Sequence, residues 1–127
     1  MITQAKAVMS PHLICCAVGT TLAEAHVTMK EKRIRHLPVI NKKNEVLGVL
    51  SQRDLQYVPD SQNLTVELFM SSPVEYVETS TPLREVIFRM LEKKISSRLV
   101  TDEDEIVMGI VTTDDLLWHL GRLIGHE

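Results

Sequence analysis

Between residues 81 and 94 the apolar positions fall at helical spacing. Leu83, Val86, Ile87, Met90 and Leu91 form one stripe, the pattern of a helix with a single buried face. Thr81 offers an N-cap side chain, and Pro82 takes the first helical position, where a missing N–H costs nothing. Glu92-Lys93-Lys94 ends the pattern with lysines at the helix's negative pole. Two short apolar runs follow, near Leu99–Val100 and Ile106–Val111, with the polar turn Asp102-Glu103-Asp104-Glu105 between them; they read as a hairpin. Thr112 or Thr113 then caps a last helix through Asp115, Leu116, Leu117 and Leu120.

The first half follows the same plan. Thr20 caps a helix carrying Leu22, Ala25 and Met29. Strands lie near Leu37–Ile40 and Val46–Leu50 around the turn Asn41-Lys42-Lys43-Asn44. Ser51 opens a closing helix that ends near Pro59. A displacement of 61 positions, which lays Met9-Ser10 on Met70-Ser71, also superposes several single positions without a gap. Thr20 meets Thr81, Leu22 meets Leu83, Met29 meets Met90 and Ile34 meets Ile95. Gly48 meets Gly109, and Asp54-Leu55 meets Asp115-Leu116. The chain is therefore a duplicated unit. The first repeat covers residues 1–58, a linker residues 59–63 and the second repeat residues 64–127, each ordered strand, helix, strand, strand, helix. The fold class is α+β, with two tandem β-α-β-β-α repeats. One repeat has too little apolar surface to be stable alone, so the two sheets are expected to pack face to face with pseudo-two-fold symmetry.

Composition narrows the function. With 127 residues, 44% hydrophobic and 24% charged, the chain has an ordinary globular balance. A net charge of −3 argues against a nucleic-acid partner, which needs a basic face. No apolar run is long enough to span a bilayer and the N-terminus lacks a signal-peptide core, so no membrane partner and a cytoplasmic location are expected. Cys15 and Cys16 are adjacent, point to opposite faces of an extended segment, and read as small apolar strand residues in a reducing compartment. Five histidines and two cysteines form no catalytic or metal-ligand spacing, so no enzyme, no metal and no required cofactor are expected.

Two matching segments carry the chemistry. Gly48-Val49-Leu50-Ser51-Gln52-Arg53-Asp54 and Gly109-Ile110-Val111-Thr112-Thr113-Asp114-Asp115 each read glycine, two apolar residues, a hydroxyl residue, two variable residues, aspartate. A glycine lets a ligand approach the backbone, and a hydroxyl and an acid on a first helical turn sit beside free N–H groups. The same spacing is also a capping box with aspartate in place of glutamate, which needs no ligand. Both readings stand, and they are compatible.

The two segments resemble the nucleotide signature of CBS (cystathionine-β-synthase-type) domains. The lead-ins Val8-Met9-Ser10-Pro11 and Phe69-Met70-Ser71-Ser72-Pro73 resemble that family's repeat openings, and Arg35-His36-Leu37-Pro38-Val39-Ile40-Asn41 its approach to the hairpin. The resemblance implies a Bateman module that binds an adenine nucleotide (AMP, ADP or ATP) in clefts between the repeats. Asp54 and Asp115 would hold ribose, and Ser51 and Thr112 ribose or phosphate oxygens. Val18 and Thr20, or Thr79 and Thr81, would face the adenine together with the hairpin strand around Pro38. Arg35 and His36, with Ser97 and Arg98, match phosphate-contacting positions. The second repeat reads Ser97-Arg98-Leu99-Val100, without a counterpart of Pro38, and matching Arg98 to His36 requires one residue fewer before the turn.

The resemblance further implies energy sensing, a homodimer and a regulated partner protein of unknown identity. The oppositely charged turns at 42–43 and 102–105 would favour a head-to-tail dimer. The apolar C-terminal stretch Leu117, Trp118, Leu120, Leu123 and Ile124, broken by Gly121 and Gly125, reads mainly as core. The alternatives are an S-adenosylmethionine binder and a dimeric interaction scaffold with empty clefts.

Overall fold

The computed structural model describes residues 2–56, 58 and 63–125. In chain order the elements are β1 (Cys16–Ala17), α1 (Leu22–Lys32), β2 (His36–Ile40), β3 (Val46–Ser51), α2 (Gln52–Leu55), β4 (Tyr76–Glu78), α3 (Leu83–Lys93), β5 (Ser97–Thr101), β6 (Val107–Thr112) and α4 (Thr113–Ile124). Short 3-10 turns at Ala5–Ala7 and Val66–Leu68 precede the two sets. Strand, helix, strand, strand, helix thus occurs twice.

Each set forms a three-stranded sheet, ordered β1-β2-β3 and β4-β5-β6, with the first pair parallel and the hairpin antiparallel. The 61-residue displacement holds down to backbone detail. His36 pairs with Ser51 as Ser97 pairs with Thr112, and each sheet carries an irregularity at the same place, Val39/Ile40 and Val100/Thr101. The non-glycine residues in left-handed backbone, Arg33, Asn44, Lys94 and Glu105, also form two pairs at that displacement. Arg33 and Lys94 end α1 and α3, and Asn44 and Glu105 lie in the hairpin turns.

The chain divides into two compact units that cut across the sequence repeats. One contains residues 1–13 and 75–127, the other residues 14–74. In the second of these, Leu22, Ala25 and Met29 of α1 pack on Leu37, Val39 and Leu50, with Val66 from the lead-in filling the core. In the other, Leu83, Val86 and Met90 of α3 cover Val77, Val100 and Val111, with Ala5 and Val8 supplied by the N-terminal lead-in. The lead-ins are tied down by backbone pairing. Ser10 and Ile110 exchange bonds of 2.8 and 3.1 Å, and Ser71 and Val49 exchange bonds of 2.9 and 3.1 Å.

Several local expectations shift. The cap of α1 is Thr21, whose hydroxyl accepts from the Glu24 N–H, not Thr20. Pro82 stands at the N-cap of α3, and the Thr81 hydroxyl instead accepts the Glu78 N–H, closing the preceding turn. The closing helix of the first repeat stops at Leu55; Pro59, and residues 59–62 of the expected linker, lie outside the described residues. Gly121 does not break α4, which runs to Ile124. The C-terminal stretch is not core: Trp118 is 72% exposed and Leu123 66%, and Leu116 is the α4 residue packed against the core.

Candidate functional sites at the strand-to-helix junctions

The residues marked out by the sequence fall into two sets, and each set lies within one compact unit. In residues 14–74, β3 ends at Ser51 and the chain turns directly into α2. The Ser51 hydroxyl accepts the Asp54 N–H at 3.3 Å, and Asp54 Oδ2 accepts the Ser51 N–H at 2.7 Å. This reciprocal pair is the capping box. Gln52 N–H donates to the Arg35 carbonyl at 2.7 Å, which brings the residues before β2 to the same junction. His36 lies opposite Ser51, and Pro38 opposite Val49, on the sheet face away from the α1 core. Val18 and Thr20 sit at the other end of β2. The Val18 N–H donates to the Ile40 carbonyl at 3.0 Å, and the Thr20 N–H closes a turn onto Ala17 at 3.1 Å. Gly19, between them, has φ +92° and donates its N–H to Glu67 at 3.1 Å. The structure therefore gathers Arg35, His36, Ser51 and Asp54 at one end of the strand and Val18 and Thr20 at the other, with buried Pro38 midway.

The second set repeats the arrangement with a different electrostatic finish. Thr112 caps α4: its hydroxyl accepts the Asp115 N–H at 3.2 Å, and Asp115 Oδ2 accepts the Thr112 N–H at 2.8 Å and its hydroxyl at 3.0 Å. The other carboxylate oxygen, Oδ1, accepts the Ser10 hydroxyl at 2.9 Å. Ser97 lies opposite Thr112, while Thr79 and Thr81 hold the turn position of Val18 and Thr20. The lead-in links the parts, its Ala5 N–H donating to the Thr81 carbonyl at 2.8 Å and its Lys6 N–H to the Thr79 carbonyl at 3.0 Å.

Because the gap-free register holds, Ser97 occupies the place of His36 and Arg98 that of Leu37, not of His36. Arg98 consequently points to the helix-covered face, where it is 2% exposed. Its guanidinium pairs with Glu75 and donates to the Arg89 carbonyl at 3.3 Å, and its buried Nε has no partner among the described residues. The hydrogen bond from Arg98 holds the Glu75 carboxyl below the usual glutamate range. Ser10 and Glu75 escaped the sequence reading because both partners are remote in the chain. The motif glycines also have a different role from the expected one. A Cβ on Gly109 would collide with the Ser10 carbonyl, and one on Gly48 would lie 2.6 Å from Met70 Sδ and 2.9 Å from the Ser71 carbonyl. The close approach they permit, in mid-strand, is that of the chain's own lead-in. Cys15 and Cys16 are both half-buried free thiols. Burial, helped by the neighbouring Cys15 and by Glu67 and opposed by a hydrogen bond with Thr20, pushes Cys16 up to about 11. Among the described residues no cluster of His, Cys, Asp and Glu is placed to hold a metal ion, and no helix is long and apolar enough to cross a membrane.

The CBS domain model matches residues 5–59 and 66–122, nearly the whole chain and both copies. The chain belongs to the CBS domain family. Its sequence is 32% identical over 119 residues to the magnesium transporter MgtE of Thermus thermophilus, covering 90% of this chain and 26% of the transporter. It is 27% identical over 124 residues to L-aspartate semialdehyde sulfurtransferase of Methanocaldococcus jannaschii, covering 98% of this chain and 24% of that enzyme. The chain thus spans about a quarter of the length of these curated relatives. Among solved structures, it is similar to a CBS domain pair in complex with 5′-methylthioadenosine and S-adenosyl-L-methionine, with TM-score 0.86, 25% identity and coverage of 97% and 99% of the two chains. It is also similar to the cytosolic domain of the Mg2+ channel MgtE in complex with ATP, with TM-score 0.73, 30% identity and coverage of 91% and 48%.

Proposed function

We propose that this CBS pair is a regulatory module that binds an adenine nucleotide and passes its presence to a partner protein, catalysing nothing itself. The observation that carries this reading is the placement of Asp54 and Asp115: half-buried carboxylates, held in capping boxes, at equivalent junctions 61 residues apart. A carboxylate fixed by its own backbone needs little further ordering to accept ribose hydroxyls. Ser51 and Thr112 stand beside these acids for ribose or phosphate oxygens. Arg35 and His36 are at the first junction and Ser97 at the second, where phosphates would extend. Val18 and Thr20, or Thr79 and Thr81, lie along the strand toward the adenine, with Pro38 between base and phosphate. Arg98 would reach a phosphate only by leaving Glu75 and crossing from the helix-covered face, so it contributes least. Two similar solved structures, a CBS domain pair in complex with 5′-methylthioadenosine and S-adenosyl-L-methionine and the cytosolic domain of MgtE in complex with ATP, support an adenosine-bearing ligand.

Titration calorimetry with AMP, ATP and S-adenosylmethionine tests the reading. We expect saturable heat with at least one of them, weakened at least tenfold in the Asp54→Ala, Asp115→Ala double variant while its circular dichroism is unchanged. Absence of heat and of any thermal shift with all three would leave the second reading, a dimeric scaffold. The exposed apolar face of α4 favours that alternative.

A further inference from the structure

The two junctions are alike in backbone and unlike in what already occupies the acid. Asp115 has both oxygens engaged, Oδ2 by two donors from Thr112 and Oδ1 by the Ser10 hydroxyl at 2.9 Å. Among the described residues Asp54 accepts only from the Ser51 N–H, through Oδ2, and its Oδ1 has no donor. The difference does not lie in how the lead-ins dock. Ser71 pairs with Val49 as Ser10 pairs with Ile110, yet among the described residues only Ser10 turns its hydroxyl onto the acid. Ser10 cannot drift away easily, because two backbone bonds and the Cβ-free surface of Gly109 hold its carbonyl and amide in place.

We infer that Ser10 is an internal substitute for a ribose hydroxyl at Asp115, so that the Asp54 junction fills first and the Asp115 junction opens only when a ligand displaces Ser10. This selectivity rests on the nucleotide reading above. A ribose diol presents two O–H donors, and a carboxylate with one oxygen free accepts them at once. At Asp115 the same diol must first break a hydrogen bond to a charged group, which typically weakens binding by about tenfold or more. The lead-in that carries Ser10 also donates to the carbonyls of Thr79 and Thr81.

Calorimetry and heteronuclear NMR with AMP on the full chain test this with four variants. We expect wild type to show one tight site lost in Asp54→Ala and a second site at least tenfold weaker. Ser10→Ala should bring the second site up about tenfold and restore binding in the Asp54→Ala background. Ser10→Thr, which keeps the hydroxyl, should behave as wild type. Two sites of equal affinity in wild type, or a weak site that Ser10→Ala leaves unmoved, overturns the role of Ser10 while the nucleotide reading survives. Absence of AMP, ATP and S-adenosylmethionine binding in every variant, Ser10→Ala included, sinks both. Thermal melts of the free variants establish that each is folded before titration.

Discussion

Arg98 stands where Leu37 stands in the first repeat, so one site in two copies of a fold is filled once by a hydrocarbon and once by an ion pair. The pair is lopsided: Arg98 is buried, its Nε has no partner among the described residues, and the Glu75 side chain is 40% exposed. Desolvating a guanidinium costs several kcal/mol, and a partner half in water returns only part of it. Arg98→Met, which keeps the stem and removes the charge, should leave the melting temperature unchanged or raise it. Glu75→Gln should lower it, because the buried cation then loses its counter-charge. The sign of the pH dependence follows from the lowered Glu75 carboxyl. A carboxylate depressed in the folded state stabilises above its unfolded pKa, and that contribution fades as pH falls through the folded value. The gap between wild type and Glu75→Gln in differential scanning calorimetry should be widest near neutral pH and close under strongly acid conditions.

Among elements, the lead-ins deserve the most weight, because each completes a core and braces a junction. Their docking depends on Gly109 and Gly48, and the two differ in what a side chain would strike. Gly109→Ala drives a methyl into the backbone carbonyl of Ser10, whereas Gly48→Ala first meets the flexible Met70 side chain. Urea unfolding should show a loss of about 3 kcal/mol for Gly109→Ala and about 1–2 kcal/mol for Gly48→Ala. The elements themselves were legible in the chain. The 3.6-residue stripe of α3, the acidic turn between β5 and β6 and the Thr112 cap all appear where local pattern puts them, because each depends on neighbours a few residues apart. Helix starts were displaced by one residue: Thr20 and Thr81 both looked like caps, but each lies in the turn before its helix. Adjacent hydroxyls and a proline at N-cap make such choices depend on the turn's geometry, which the sequence pattern does not report.

For the molecule as a whole, the apolar surface of α4 and α3 is the feature the nucleotide reading leaves unused. Leu117, Leu120 and Leu123, with Phe88 of α3, line a groove of about 490 Å³ in the unit formed by residues 1–13 and 75–127. A patch of this kind on a small chain marks an association surface, and a homodimer is the occupant we propose. Light scattering should report a dimer for the wild type and a monomer for Leu120→Glu, with the far-ultraviolet circular dichroism preserved; a monomeric wild type would contradict it. The sequence by itself determined the duplication, the order of elements, the polar and apolar faces and the two capped acids, since all of these are written in periodicity and in spacing of a few residues. Tertiary structure alone decided that each lead-in completes the core of the unit built on the other repeat, that Arg98 faces the core, and that Ser10 reaches Asp115 across 105 positions of chain. Those outcomes follow from where the backbone returns after long excursions, and no local propensity encodes a contact between residues that far apart.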